Sequence, residues 1–150
     1  MSGGARFIDN YLGYLLGQAN HALFKDFDAQ VRAAGLSSAE WRVLATLHDG
    51  PALTVSQLAH EVLSKQPTLT RIVQRMVARG WVRLGADAQD QRRTLVEATA
   101  TGRRKVAPLV KAAQAHERQL LACLGHSEKA ALRQLIERLG GTRVAGTLRP

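Results

Sequence analysis

Residues 54 to 97 form one continuous pattern that restricts the fold more than any other part of the chain. Thr54-Val55-Ser56-Gln57-Leu58-Ala59 opens a short amphipathic helix. Thr54 and Gln57 have the spacing of a capping box, in which each side chain satisfies the other residue's unpaired backbone N–H. After a tight break at Ser64-Lys65, a second helix is predicted from Pro67 to Arg79, with Gly80 as its stop. Trp81-Val82-Arg83-Leu84 reads as a strand, Gly85 to Gln91 as a polar tip, and Arg92 to Glu97 as a return strand. Helix, turn, helix and basic hairpin is the order of a winged helix-turn-helix, a shape that presents one helix to a DNA major groove.

Charge is concentrated in the same region. Residues 64 to 105 hold ten Lys/Arg (Lys65, Arg71, Arg75, Arg79, Arg83, Arg92, Arg93, Arg103, Arg104, Lys105) and three acids (Asp87, Asp90, Glu97), so they carry +7 of the chain's +9. A concentrated basic surface gains affinity for duplex DNA by releasing the counterions condensed on it.

The flanks are predicted to be helical. Ile8, Leu12, Leu15, Ala19, Leu23, Phe27 and Val31 recur at helical spacing, widened by Tyr11, Leu16 and Phe24, which predicts one long helix ending near Ala34-Gly35. Ser37 and Glu40 form a second capping box, opening a helix with Trp41, Leu44 and Leu47 inward and a stop at Asp49-Gly50-Pro51. Thr99 caps a further long helix with Val106, Val110, Ala113, Leu120 and Leu124 on one face, and Pro108 inside it predicts a kink. Ser127 caps a last helix bearing Leu132, Leu135, Ile136 and Leu139, ended by Gly140-Gly141.

The 150 residues therefore read as a single mainly α domain with a small β-hairpin wing. A winged helix-turn-helix core spans 37–98, helices at 7–34 and 99–140 flank it, and 141–150 is a loose tail. The flanking helices carry more apolar face than the core can cover, which points to an isologous homodimer built from both chain ends. No apolar run approaches the roughly 20 residues of a membrane span. Asp9 and Asn10 before Tyr11-Leu12-Gly13-Tyr14-Leu15-Leu16, with no small-residue cleavage site after it, argue against a secretory leader. The single cysteine excludes an intrachain disulfide and suits a cytoplasmic protein.

On the Pro67–Arg79 helix, Leu69, Ile72, Val73, Met76 and Val77 share the core face. Arg71, Gln74 and Arg75 lie opposite, flanked by Thr68 and Thr70. Arg matches guanine O6 and N7, Gln matches adenine N6 and N7, and Thr can touch a phosphate or a thymine methyl. Lys65 and Gln66, at the helix start, are placed to meet phosphate. Arg92 and Arg93 end the wing tip on opposite faces of the strand, so one of them is expected to enter the minor groove. Asp87 reads as a turn residue.

Nothing in the chain reads as an enzyme or a cofactor site. His60-Glu61 and His116-Glu117 begin like a zinc-protease motif, but Ser64 and Leu120 stand where the second His is required, so no metal is expected. Cys123, on an apolar helix face, reads as a small buried hydrophobe. There is no phosphate-binding glycine loop, nucleophile elbow or paired-carboxylate site.

Asp87-Ala88-Gln89-Asp90-Gln91-Arg92, followed by Val96-Glu97-Ala98-Thr99-Ala100-Thr101-Gly102-Arg103, resembles the wing and following helix start of the multiple antibiotic resistance regulator (MarR) family. Pro67-Thr68-Leu69-Thr70-Arg71-Ile72-Val73 and Arg79-Gly80-Trp81-Val82 resemble its recognition helix and the start of its wing. Ser38-Ala39-Glu40-Trp41-Arg42-Val43-Leu44 resembles its second helix. The resemblance runs from Phe7 to Leu139, with two departures: Gln91 where Arg is usual, and Ala98 where Leu is usual. It implies a sequence-specific transcriptional regulator, a homodimeric repressor of a palindromic operator, released by a small phenolic or aromatic ligand. It also favours Arg92 as the minor-groove residue, with Asp90 orienting its guanidinium. Tyr11, Trp41 and His48 are candidates to line the ligand crevice, although core packing accounts for them equally well. The competing reading is an architectural DNA-binding protein without an effector.

Overall fold

In a computed structural model of the chain, residues 6–140 are described. Seven α-helices and three short strands occur among them, in the order α1 (Phe7–Asn10), α2 (Leu12–Ala33), α3 (Ser38–His48), β1 (Leu53–Thr54), α4 (Val55–Glu61), α5 (Gln66–Ala78), β2 (Val82–Ala86), β3 (Thr94–Ala98), α6 (Ala100–Leu120) and α7 (His126–Leu139). A single 3-10 turn, Leu121–Cys123, precedes α7. The described residues divide into two compact units, the first ending at Gln114 and the second beginning at Ala115.

Both predicted capping boxes form. Ser37 Oγ accepts the Glu40 N–H at 3.2 Å and Glu40 Oε2 accepts the Ser37 N–H at 2.9 Å. Thr54 Oγ1 and Gln57 Oε1 exchange the same bonds at 3.2 and 2.9 Å. Thr99 starts α6 as expected, its hydroxyl accepting the Gly102 N–H at 3.0 Å. Each of these devices joins residues three positions apart, so the local sequence specifies them.

The first unit holds one core. Phe27 and Val31 of α2, Val43, Leu44 and Leu47 of α3, Leu58 of α4, Leu69, Val73 and Met76 of α5, Val82 and Val96 of the sheet, and Val106 and Leu109 of α6 are all buried. The wing is an antiparallel hairpin with Val82 opposite Ala98 and Ala86 opposite Thr94. A third strand, β1, pairs with β3 through Leu53 opposite Val96, giving the order β1-β3-β2. That strand is too short for any periodicity to announce it.

One glycine sets the closest approach in this unit. A Cβ on Gly102 would stand 2.0 Å from the Trp81 carbonyl oxygen and 3.2 Å from Leu44 Cδ2. The first turn of α6 thus lies directly against the backbone that starts the wing.

Four local expectations need correction. The first helix is interrupted at Tyr11, whose backbone is extended (φ −81°, ψ 109°). Tyr11 stacks on Phe7 with ring centroids 5.1 Å apart and lies over the bare Cα of Gly13, so an aromatic contact and a weak helix former together override the apolar period. Gly125, not Ser127, caps α7, its N–H donating to Glu128 Oε2 at 2.7 Å. Val77 lies off the core face and is exposed. Cys123 is exposed too, in the 3-10 turn that follows the end of α6 at Leu120. The helix continues through Pro108, and the expected tail, 141–150, lies outside the described residues.

Candidate nucleic-acid interface

The α4–α5 pair gives α5 two unlike faces. Leu69, Ile72, Val73 and Met76 are buried, whereas Thr68, Arg71, Gln74 and Arg75 are exposed. Thr70 is half-buried, and its hydroxyl donates to the Gln66 carbonyl at 2.9 Å, leaving only acceptor capacity outward. Lys65 is the N-cap of α5 and makes no side-chain cap, while Gln66 and Pro67 occupy the first turn. Unpaired N–H groups at such a terminus favour an anion.

The wing tip is built from its two aspartates. Asp87 Oδ1 accepts the Gln89 N–H at 2.9 Å, and the Asp87 N–H donates to the Arg93 carbonyl at 3.1 Å. Asp90 Oδ1 accepts the Arg92 backbone N–H at 3.0 Å, but its carboxylate pairs with the Arg93 guanidinium at 3.7 Å. Asp90 therefore shapes the turn under Arg92 and partly neutralises Arg93. It does not hold the Arg92 guanidinium, contrary to expectation, because the turn folds the Arg93 side chain back onto Asp90.

The other cations of the basic stretch serve the fold. Arg83 pairs with Glu97, the residue opposite it in the hairpin. Arg79 Nη1 meets Glu40 Oε1 at 3.2 Å, and its guanidinium lies 4.8 Å from the Trp81 ring centre. Lys105 Nζ lies 4.9 Å from the same ring and donates to the Ala34 carbonyl, just past α2, at 3.0 Å. Arg103 donates to the His48 carbonyl at 2.6 Å and to the Ala98 carbonyl at 3.3 Å. Arg104 reaches the Thr101 hydroxyl at 3.3 Å. Among the described residues, Lys65, Arg71, Arg75 and Arg92 have no side-chain partner, and all are exposed.

The Glu40–Arg79–Trp81–Lys105 cluster leaves no mark in the sequence pattern, where Glu40 reads only as a cap and Arg79 only as part of the basic surface. Their contact joins residues 39 apart in the chain, so no spacing rule could show it.

The candidate ligand residues do not converge. Tyr11 stacks on Phe7, Trp41 meets Phe27 edge-on at 5.2 Å, and His48 ends α3 with a buried Nδ1 that has no hydrogen-bond partner. Along α2, Gly13 and Gly17 leave a shallow recess of about 290 Å³, lined also by Tyr14, Gln18 and His21. Within it, Gln18 Nε2 donates to Tyr14 Oη at 2.7 Å. Among the described residues, no helix is long and apolar enough to cross a membrane.

The MarR family sequence model matches residues 34–93. The crystal structure of a MarR family transcriptional regulator from Silicibacter pomeroyi DSS-3 is similar throughout, with 39% identity and a TM-score of 0.79 over 90% of this chain and 99% of its own. The transcriptional repressor CouR, solved bound to a 23-mer DNA duplex, is 25% identical with a TM-score of 0.75, over 89% of this chain and 94% of its own. The transcriptional activatory protein BadR of Rhodopseudomonas palustris is 32% identical over 99 residues, 64% of this chain and 57% of its own.

Proposed function

The chain belongs to the MarR family and is a DNA-binding transcriptional regulator, and from that premise we propose that it acts as a homodimeric repressor of a palindromic operator, released by a small aromatic or phenolic ligand. The observation that carries this reading is the sorting of charge. Lys65, Arg71, Arg75 and Arg92 are exposed and unpaired, on the recognition helix and wing, while neighbouring cations are consumed inside the fold. Arg71, Gln74, Arg75 and Thr68 read bases from α5, Lys65, Gln66 and Thr70 meet phosphate, and Arg92 enters the minor groove with Arg93 beside it. Asp87 and Asp90 hold the tip in shape.

The dimer rests on uncovered apolar side chains. Leu12, Leu15, Leu16 and Phe24 of α2 are exposed, as are Leu132, Leu135, Ile136 and Leu139 of α7. Burying them against a second copy removes the penalty and creates the two-fold that matches a palindrome. Repression follows CouR, a repressor whose structure matches 89% of this chain. The effector class follows the family resemblance, with Tyr11, Trp41 and His48 as the residues to substitute first. Tyr11 borders the α2 recess through Gly13.

The test begins with selection of duplexes from a random library by the purified protein, followed by transcription in vitro from a promoter carrying the selected site. An inverted repeat and reduced transcription support the proposal. A lack of any consensus favours the architectural reading, and increased transcription makes the protein an activator. Phenols and aromatic acids that raise the melting temperature are then titrated with and without the duplex. A ligand that weakens DNA binding tenfold is itself weakened tenfold by DNA, a coupling of about 1.4 kcal/mol. Equal affinities in the two titrations remove that ligand as an effector.

A further inference from the structure

Three helices of this chain end in the same backbone motif. After α2, the Gly35 N–H donates to the Arg32 carbonyl at 2.9 Å and the Leu36 N–H to the Val31 carbonyl at 3.2 Å. After α5, the Gly80 N–H donates to Val77 at 2.9 Å and the Trp81 N–H to Met76 at 3.0 Å. After α4, the Leu63 N–H donates to His60 at 3.3 Å and the Ser64 N–H to Ala59 at 2.9 Å. This paired bonding puts the first residue past the cap in the left-handed region, which favours glycine because it lacks a Cβ. The φ values are +75° at Gly35, +71° at Gly80 and +54° at Leu63.

The chain thus uses glycine in two of these positions and leucine in the third, the turn of the helix-turn-helix. Among the described residues Leu63 is the only non-glycine with positive φ. It is also their most exposed large apolar side chain, at 84%. The left-handed backbone strains Leu63 where it would not strain glycine, and the side chain gains no burial in return. The side chain is therefore free to meet a surface outside the folded chain.

Its position indicates that use. Leu63 stands two residues before Lys65, the N-cap of α5, and the start of a recognition helix is the part that meets base edges in the major groove. The apolar group exposed there is the C5-methyl of thymine. We propose that Leu63 is a base-reading residue that packs against a thymine methyl at the edge of each half-site. This rests on the sequence-specific binding proposed above. Leu63 would supply apolar discrimination beside the polar readers Arg71, Gln74 and Arg75.

The test uses the full-length protein and the duplex selected from the random library. Each thymine of one half-site is replaced in turn by deoxyuridine, which deletes only the methyl, and by symmetry in the other. For the wild type, one such replacement should weaken binding about fourfold per half-site, the effect of losing one buried methyl contact. Leu63→Gly should lower affinity for the thymine duplex to a similar extent and bind both duplexes equally. Its melting temperature should not fall, because the left-handed strain is relieved. Leu63→Ala should lose the same discrimination while keeping the strain, so a folding defect in either variant does not leave the proposal without a test.

If no consensus duplex emerges from selection, sequence-specific reading fails and this assignment fails with it. If a consensus emerges and Leu63→Gly still distinguishes thymine from deoxyuridine as the wild type does, only the assignment to Leu63 is overturned. Another residue, with Thr68 the nearest alternative, would then read the methyl.

Discussion

Arg71 and Arg79 belong to the same helical stretch, yet their surroundings give them opposite roles. Arg71 faces outward without a partner, whereas Arg79 is committed to Glu40 and Trp81. Glu40 is only 5% exposed, and each of its oxygens has a donor, Ser37 N–H on one and Arg79 on the other. Removing that carboxylate deletes a helix cap and the buried end of an ion pair. Glu40→Ala should therefore destabilise the fold by about 2 kcal/mol, discounted because the Arg79 end is half exposed. A urea midpoint that did not move would show that the cap and pair are dispensable. Arg71→Ala should leave that midpoint unchanged and weaken specific binding by about 1–3 kcal/mol. Equal loss on selected and random duplexes would assign Arg71 to phosphate instead.

At the scale of elements, the wing offers an internal control. Arg83 and Arg92 are both exposed arginines of the hairpin, but Arg83 is paired across the ladder to Glu97 and Arg92 is not. Arg92→Ala should weaken DNA binding and reduce the salt dependence by about one unit of log–log slope per protomer, while Arg83→Ala should leave the slope nearly unchanged. With four unpaired cations on the recognition helix, its N-cap and the wing of each protomer, a dimer should give a slope of roughly −7. Titrations at several salt concentrations measure both quantities, and a slope near zero would remove DNA as the partner. The contrast between these arginines was not legible in the sequence, although the elements carrying them were. Capping boxes, the glycine stop at Gly80 and the apolar face of α5 depend on residues within one or two turns. The sorting of cations depends on contacts across 14, 39 and 55 residues. The break at Tyr11 was missed for a different reason, since the apolar period continues through it while the backbone does not.

At the scale of the whole molecule, the apolar residues of α2 and α7 set the oligomeric expectation. Leu135 and Ile136 are about half exposed on an amphipathic helix that buries none of its residues within one chain. The double change Leu135→Asp with Ile136→Asp should convert a dimer at micromolar concentration to a monomer and collapse operator affinity, because two half-sites would no longer be held together. Sedimentation showing the wild type to be a stable monomer would remove the basis for palindromic recognition. Within residues 1–114, the contact at Gly102 governs how a displacement would travel. With no side chain between the first turn of α6 and the Trp81 carbonyl, and with the Thr99 hydroxyl tied to the Gly80 carbonyl at 2.6 Å, there is no slack at this joint. Push the first turn of α6 and the end of the recognition helix must follow, as the short arm of a lever follows the long one. Glycine is thus the only residue that lets the lever be rigid, and even a methyl group here would pry its fulcrum apart.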